Sequence, residues 1–112
     1  MIPEISDKEF DNKIGQFGIP ILIEFWKPGC SHCQSLLKEL EGLQEETRNR
    51  LAIFKMNVEE NHLIPGDLEI HSLPALALFV KGEFQRFIGG IGRKAEIRAQ
   101  LSLWLDPNEP EG

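Results

Sequence analysis

The sequence predicts one α/β domain, with a central mixed β-sheet of four to five strands flanked by helices on both faces. Two observations support this prediction. Apolar runs rich in β-branched and aromatic side chains recur at 21–26, 51–58 and 74–80, as is typical of buried strands. Between and after these runs, apolar residues recur at three- and four-residue steps, as they do on one face of a helix.

Composition agrees with this architecture. The chain has 112 residues, of which 41% are hydrophobic and 27% charged, and this suits one packed domain rather than a disordered chain. The formal net charge of −6 disfavours nucleic-acid binding and anionic membrane surfaces. No apolar run approaches the roughly 20 residues of a membrane-spanning helix, and no signal peptide is visible. We therefore expect a cytoplasmic monomer with one domain at 1–106 and a flexible tail at 107–112.

The N-terminal part is predicted to hold a short strand and a helix. Residues 2–5 can form an edge strand, where a proline is tolerated. Ser6 and Glu9 have the spacing of a capping box, in which each side chain accepts a hydrogen bond from the other residue's backbone. Phe10 and Ile14 give the helix that follows its buried face.

The next predicted elements are a central strand at 21–26 and a long helix from Cys30 to Thr47, separated by a turn at Pro28-Gly29. Both cysteines of the chain, Cys30 and Cys33, therefore lie at one helix N-terminus, three residues apart. Residues at that spacing are neighbours that a disulfide can join, and the positive helix end stabilises a thiolate. We infer a dithiol that cycles to a disulfide; two small buried hydrophobes, or half of a metal site, are the alternatives.

The remaining elements follow from the same patterns. They are an inner strand at 51–58, one or two short helices within 59–72, a buried strand at 74–80 paired antiparallel with a strand at 83–88, and an amphipathic helix at 93–105 that Asp106-Pro107 ends. A strand, a crossover helix and a second strand form a right-handed unit, so the first two inner strands should pair in parallel.

The segment Phe25-Trp26-Lys27-Pro28-Gly29-Cys30-Ser31-His32-Cys33 resembles the active-site segment of the thioredoxin family. Glu24 stands at the place of that family's buried acid, and Lys55 at the place of the lysine on the following strand. Ser72-Leu73-Pro74-Ala75-Leu76 is similar to the loop that carries the family's cis-proline, and Gly89-Gly90 to its later glycine turn. The resemblance covers nearly the whole chain and implies the thioredoxin fold.

The two cysteines and three residues near them have expected roles in this chemistry. Cys30 is expected to be the nucleophile and Cys33 the resolving thiol. His32 would stabilise the Cys30 thiolate when protonated, as in protein disulfide isomerase domains, or would simply be a solvated histidine. Glu24 would accept the proton of Cys33, with Lys55 beside it. Alternatively, the two would form a structural ion pair, or Glu24 would simply be turned to water.

Further residues are expected to contact the substrate: Trp26, Gly29, Leu73, Pro74 and Gly89. The resemblance implies a cis peptide bond before Pro74, next to a Leu73 backbone that pairs with an extended substrate segment. Gly29 departs from the family pattern, which mostly has a tryptophan directly before the first cysteine. The apolar contact area around Cys30 should therefore be smaller than usual.

The sequence thus predicts a thiol-disulfide oxidoreductase that reduces or exchanges protein disulfides, receives electrons from a reductase, and needs no cofactor beyond the Cys30–Cys33 couple. The alternatives are a redox-sensing or partner-binding module without turnover, and a disulfide isomerase or oxidase, which His32 favours. The ligand count argues against a metal site within one chain, although zinc or an iron–sulfur cluster shared by two chains stays open.

Overall fold

The computed structural model describes residues 1–89 and 92–105. Gly90, the expected stop at Asp106-Pro107 and the expected tail at 107–112 lie outside the described residues. The helices and strands are, in chain order, α1 (Asp7–Gln16), β1 (Ile21–Trp26), α2 (Ser31–Glu46), β2 (Ala52–Asn57), α3 (Leu63–Asp67), β3 (Ala75–Val80), β4 (Glu83–Phe87), α4 (Lys94–Gln100) and α5 (Ser102–Leu105). Within the described ranges, none of these helices has the length and apolar content to cross a bilayer.

The four strands form one mixed sheet in the order β2-β1-β3-β4. β1 pairs in parallel with β2, while β1–β3 and β3–β4 are antiparallel. Because the helix α2 connects the parallel pair, the expected crossover unit is confirmed. The active-site helix, the short helix after β2 and the final antiparallel pair also lie where the sequence predicts them.

The N-terminal segment lies along the outer side of β2 as an isolated bridge, where a short strand was expected. Glu4 is paired with Lys55 in parallel orientation. The Ile5 amide donates to the Lys55 carbonyl at 2.8 Å, and the Lys55 amide donates to the Pro3 carbonyl at 2.9 Å. A proline at position 3 has no amide hydrogen to donate, so the pairing stays short.

Helices cover both faces of the sheet, as predicted. One core cluster contains Leu22 of β1 together with apolar residues of α2 and α4, and the other contains Ile21 and Ile23 with residues of α1 and α3. Side chains alternate between the faces of a strand. Glu24, two residues after Leu22, therefore lies on the face covered by α2, the helix that begins next to Cys30.

Two side-chain caps hold α1 in place. The predicted capping box is present: the Glu9 amide donates to Ser6 Oγ at 3.2 Å and the Ser6 amide donates to Glu9 Oε1 at 3.1 Å. The Asp7 carboxylate then accepts from the amides of Leu63 and Ile64 at 2.8 and 2.9 Å, at the start of α3. These bonds join α1 to α3 on the face opposite the cysteine helix.

Helix α2 is fastened to α4 by one lysine. The Lys94 amide donates to Glu39 Oε1 at 2.8 Å, and Lys94 Nζ lies 2.6 Å from Glu46 Oε2. Between these two glutamates, the lysine chain crosses Gly42, where a Cβ would lie 3.2 Å from Lys94 Cδ. Gly42, which weakens the helix by about 1 kcal/mol relative to alanine, thus leaves room for this crossing.

Strand β4 carries an irregularity that explains why its apolar and polar residues do not alternate strictly. The pairing register shifts between Leu78 and Phe79, so β4 contains one residue more than the part of β3 that it faces. Such a bulge turns the residues on either side of it relative to the simple alternation. The rings of Phe84 and Phe87 consequently meet with centroids 5.0 Å apart, and both are 40% exposed.

The single helix expected at 93–105 is wrong in one respect, because the structure divides it into α4 and α5 at Leu101. The Leu101 amide bonds to the Arg98 carbonyl at 3.0 Å, three residues back, which tightens the turn. Next to the break, the Gln100 side chain accepts from the Gly89 amide at 3.3 Å and donates to the Gly89 carbonyl at 2.7 Å. Ile97, Leu101 and Leu105 nevertheless remain buried, and Trp104 is half-buried.

Candidate active site

The dithiol is presented by the turn between β1 and α2. Gly29 has φ +82°, a left-handed conformation that suits glycine, and it leads the chain from the strand into the helix. Cys30 is the N-cap of α2, with extended backbone angles of φ −95° and ψ 102°. Its Sγ accepts a hydrogen bond from the Cys33 amide at 3.1 Å, as the oxygen of a serine or aspartate cap would. The positive helix end therefore acts directly on the Cys30 sulfur.

Cys30 and Cys33 are joined by a disulfide, with their Cα atoms 5.2 Å apart. Cys33 is 3% exposed, whereas Cys30 is half-buried. The predicted pairing is thus present, and Cys30 is the more exposed of the two cysteines. The second lies beneath it, inside the first turn of the helix.

Glu24 is an almost completely buried carboxyl group. It is 1% exposed, and its Oε2 has no hydrogen-bond partner among the described residues. Burial disfavours the charged form, so the pKa of Glu24 is raised to about 8, although the positive charge of Lys55 opposes the rise. A group with this pKa exchanges protons near neutral pH.

A cavity of about 200 Å³ connects this carboxyl to the buried cysteine. It is lined by Glu24, Trp26, Cys33, Gln34, Leu37 and Lys55. The structure therefore brings four of the residues selected from the sequence into one space. The Glu24 carboxyl and the Cys33 residue therefore border the same cavity.

Lys55 does not make the close ion pair that the sequence suggests as one interpretation. It is in register with Glu24 across the parallel strands β1 and β2. Its Nζ lies 5.2 Å from the centroid of the Trp26 ring, an arrangement that a cation–π attraction favours. No ion pair within 4 Å joins it to Glu24 in the part of the chain that the structure describes. Lys55 therefore acts on Glu24 through space.

A second cavity, of about 320 Å³, borders the first turn of α2. It is lined by His32, Ser35, Leu36, Leu73, Pro74 and Gly92. The Leu73–Pro74 peptide bond is cis, as the resemblance implied. His32 is exposed and faces this cavity, so it lies between the dithiol turn and the proline loop.

Gly89 lies in neither of these cavities. It lines a third one, of about 420 Å³, together with residues 69–72, 74–76, 87 and 88. This cavity shares only Pro74 with the second one. Gly89 is thus close to the proline loop, but the structure does not place it beside the cysteines.

The structure also shows residues that the sequence interpretation missed. Leu37 lines the Glu24 cavity, and its position four residues after Cys33 was a usable signal for a shared helix face. Gln34 lines the same cavity, but a polar residue in a helix carries no comparable signal. Glu4 accepts a hydrogen bond from the indole Nε1 of Trp26 at 3.2 Å, a contact made 22 positions apart. No local pattern reports such a contact.

Metal binding was the main chemical alternative for the cysteines. Within residues 1–89 and 92–105, no three or more histidine, cysteine, aspartate or glutamate side chains are grouped so that they could hold a metal ion. At the helix N-terminus, the two cysteines are joined to each other by a disulfide.

Comparison with known proteins agrees with this chemistry. The family model described as Thioredoxin matches residues 1–102 of the chain. The chain belongs to the thioredoxin family. Among its thioredoxin relatives, that of Rickettsia bellii is 32% identical over 108 residues, which are 96% of this chain and 99% of the relative. The thioredoxin of Acidithiobacillus ferridurans is 31% identical over 90% of this chain and 94% of the relative. That of Haemophilus influenzae is 34% identical over 70% of this chain and 74% of the relative.

Membership of the thioredoxin family and the Cys30–Cys33 disulfide together identify a thiol-disulfide oxidoreductase with the thioredoxin fold. Thioredoxins carry out this chemistry with their own cysteine pair, which here occupies the N-terminus of α2.

Proposed function

We propose that this thioredoxin reduces disulfide bonds in protein substrates, with Cys30 as the nucleophile and Cys33 as the resolving thiol. The observation that supports this most directly is the disulfide between a half-buried Cys30, which caps a helix, and a buried Cys33. The thiolate is the reactive form of cysteine, and a helix N-terminus stabilises it. The position of Cys30 therefore suits the sulfur that attacks the substrate, and the burial of Cys33 suits the thiol that later attacks Cys30.

The proposed cycle starts from the dithiol. The Cys30 thiolate attacks one sulfur of the substrate disulfide, so a Cys30–substrate disulfide forms and the other substrate sulfur leaves as a thiolate, which takes up a proton. Cys33 then loses its proton and attacks Cys30 Sγ. The Cys30–Cys33 disulfide forms, and the second substrate thiolate leaves and is protonated. Two electrons have passed from the protein to the substrate.

Glu24 is proposed to move the proton of Cys33 in both directions. When Cys33 becomes the attacking thiolate, the Glu24 carboxylate accepts its proton. When a donor dithiol later reduces the protein disulfide at Cys30, Cys33 leaves as a thiolate and takes that proton back. A pKa of about 8 keeps most Glu24 side chains protonated at neutral pH in the disulfide form, ready for this second step.

The cavity beside the proline loop is the proposed place for the substrate chain. The Leu73 backbone would pair with an extended segment, and His32 and Pro74 would flank it. Gly29 is exposed next to Cys30 and leaves space for the substrate at the sulfur. Trp26 would contact the substrate from the side of the Glu24 cavity. Gly89 would contact the same segment further along, beyond Pro74.

We further propose that residues 1–106 act as one domain, that the protein works as a monomer in the cytoplasm, and that a reductase supplies its electrons. Support comes from the bacterial thioredoxins that align with most of the chain. The oligomeric state is measured by sedimentation, and the location by fractionation of the source cells.

Reduction of insulin by dithiothreitol tests the proposed function. The wild-type protein should accelerate the precipitation of the insulin B chain well above the rate with dithiothreitol alone. Cys30→Ser and Cys33→Ser should both abolish the acceleration. A protein that exchanges its disulfide with dithiothreitol but leaves insulin at the background rate would instead be a sensor or a binding module.

A matched pair of variants assigns the two sulfurs. In Cys33→Ser, the nucleophile remains and no second thiol resolves its adduct, so a stable mixed disulfide with insulin should accumulate in non-reducing gels. Cys30→Ser has lost the same number of thiols and should give no such adduct. If Cys30→Ser accumulated the adduct, the assigned roles would be reversed.

A further inference from the structure

Three acidic and basic side chains form a row across the edge of the sheet. Lys55, on β2, is in register with Glu24 on one side and paired with Glu4 on the other. Both pairings are parallel, and residues in register on parallel strands lie on the same face of the sheet. A single ammonium group therefore stands between two carboxyl groups, one buried and one near the edge.

Trp26 links the edge carboxyl to the cavity. Its indole Nε1 donates to Glu4 Oε2 at 3.2 Å, while its ring lies under Lys55 Nζ at 5.2 Å from the centroid. Lys55 and Trp26 both line the cavity that contains Glu24 and Cys33. Glu4 thus contacts one wall of that cavity and attracts the ammonium group in another, although Glu4 itself does not line the cavity.

We propose that Glu4 is a positioning residue that sets how readily Glu24 ionises, by drawing the Lys55 ammonium toward the edge of the sheet and holding Trp26 beneath it. An ammonium group held toward Glu4 lies farther from Glu24 and therefore stabilises the Glu24 carboxylate less. Its effect on the rate of thiol exchange rests on the proposed role of Glu24, whereas its effect on the ionisation of Glu24 does not.

The surroundings of both carboxyls limit what else could act on them. Among the described residues, Lys55 is the charged group that shifts the pKa of Glu24, and the cavity neighbour from α2 is Cys33, whose sulfur is held in the disulfide. On the side of β3, Glu24 faces the apolar Leu76. The pKa of Glu4 is raised by burial, while Lys55 and the Trp26 hydrogen bond oppose the rise and Glu60 adds to it. Lys55 is thus the positive charge that lowers the pKa of both carboxyls.

Replacement of Glu4 by glutamine has a definite expected direction. Glu4→Gln removes the competing negative charge but keeps an oxygen that can accept the Trp26 hydrogen bond. The Lys55 ammonium is then no longer drawn toward the edge of the sheet, and its closer approach to Glu24 favours the Glu24 carboxylate. The pKa of Glu24 should therefore fall.

The experiment is a pH titration of the disulfide form of the full chain, followed by the carboxyl ¹³C resonances of labelled glutamate. Glu4→Gln should lower the Glu24 midpoint by about 0.5 unit or more, a threefold change in proton affinity. Glu59→Gln makes the same change in net charge at an exposed position after β2 and should leave the midpoint unchanged. An unchanged or higher midpoint in Glu4→Gln would overturn the proposal.

A charge-retaining variant separates electrostatics from packing. Glu4→Asp keeps the negative charge on a shorter side chain, so its Glu24 midpoint should stay closer to that of the wild type than to that of Glu4→Gln. If Glu4→Asp lowered the midpoint as far as Glu4→Gln, loss of packing would be the cause and the proposal would be wrong.

These titrations need no substrate and no turnover. If the protein fails to reduce insulin but Glu4→Gln still lowers the Glu24 midpoint, the proposed function is wrong and the coupling between Glu4 and Glu24 stands. If the protein reduces insulin but Glu4→Gln leaves the Glu24 midpoint unchanged, only the coupling is wrong. As a second readout, the rate at which dithiothreitol reduces the Cys30–Cys33 disulfide should change over the pH range in which Glu24 loses its proton. In Glu4→Gln this change should occur at lower pH than in the wild type.

Discussion

Glu24 and Lys55 stand in register across the parallel strands β1 and β2, yet the ion pairs found among the described residues do not join them. The lysine instead lies over the Trp26 ring. Glu24 is left buried, with one carboxyl oxygen that has no hydrogen-bond partner in the described part of the chain. Its ionisation is therefore costly, and both the stability and the chemistry of the protein should depend on pH.

The first prediction concerns stability. Glu24 has an ordinary pKa of 4.5 when unfolded and about 8 when folded, so between these values the folded state binds more protons. The free energy of unfolding should therefore fall as the pH rises from about 4.5 to about 8, by on the order of 5 kcal/mol. Below that window, both states are protonated and this dependence disappears.

Glu24→Gln removes the ionisable group and should remove this part of the pH dependence. Urea unfolding of the disulfide form at several pH values, compared between wild type, Glu24→Gln and the exposed control Glu59→Gln, measures it. A Glu24→Gln curve parallel to that of the wild type would show that Glu24 ionises normally.

The second prediction concerns His32, which is exposed at the first turn of α2 and lines the cavity beside the proline loop. A protonated histidine stabilises the Cys30 thiolate and so the reduced protein. His32→Ala should lower the reduction potential by about 10–30 mV, measured by equilibration with glutathione. His62→Ala changes an exposed histidine before α3 and should have no effect. Equal potentials in all three proteins would remove the proposed role of His32.

The third prediction concerns Gly29, which stands where the family mostly has a tryptophan. At φ +82°, any side chain is strained, although no atom lies within 4 Å of a Cβ built there. Gly29→Ala should therefore destabilise the protein by about 1 kcal/mol. Gly15, within α1, also has free space, and Gly15→Ala should stabilise by up to about 1 kcal/mol. Urea unfolding that showed a gain at both positions would mean that residue 29 changes conformation easily.

Several features could be predicted because neighbouring residues determine them. The capping box of Ser6 and Glu9 is a local pattern, and the structure contains it. The placement of Cys30 and Cys33 at a helix N-terminus follows from the change of apolar period after Pro28-Gly29, and it is confirmed because Cys30 is the N-cap of α2. The cis bond before Pro74 was implied by the resemblance alone, and it is present.

Other features arise from contacts between distant segments, and no local sequence pattern predicts them. The helix break at Leu101 accompanies two hydrogen bonds between Gln100 and Gly89. The space above Gly42 is needed because Lys94 crosses it on the way to Glu46. In each case, the deciding partner lies more than ten positions away along the chain.

The sequence by itself determined the order of strands and helices, the family and the reactive cysteine pair, because periodicity and short spacing act over one or two turns of the chain. Tertiary structure alone decided the environment of Glu24. Its burial, the displacement of Lys55 onto the Trp26 ring and the approach of Glu4 all require β1, β2 and the N-terminal segment to lie side by side. Electrostatic energy depends on distances and burial in space, and those exist only once the chain has folded.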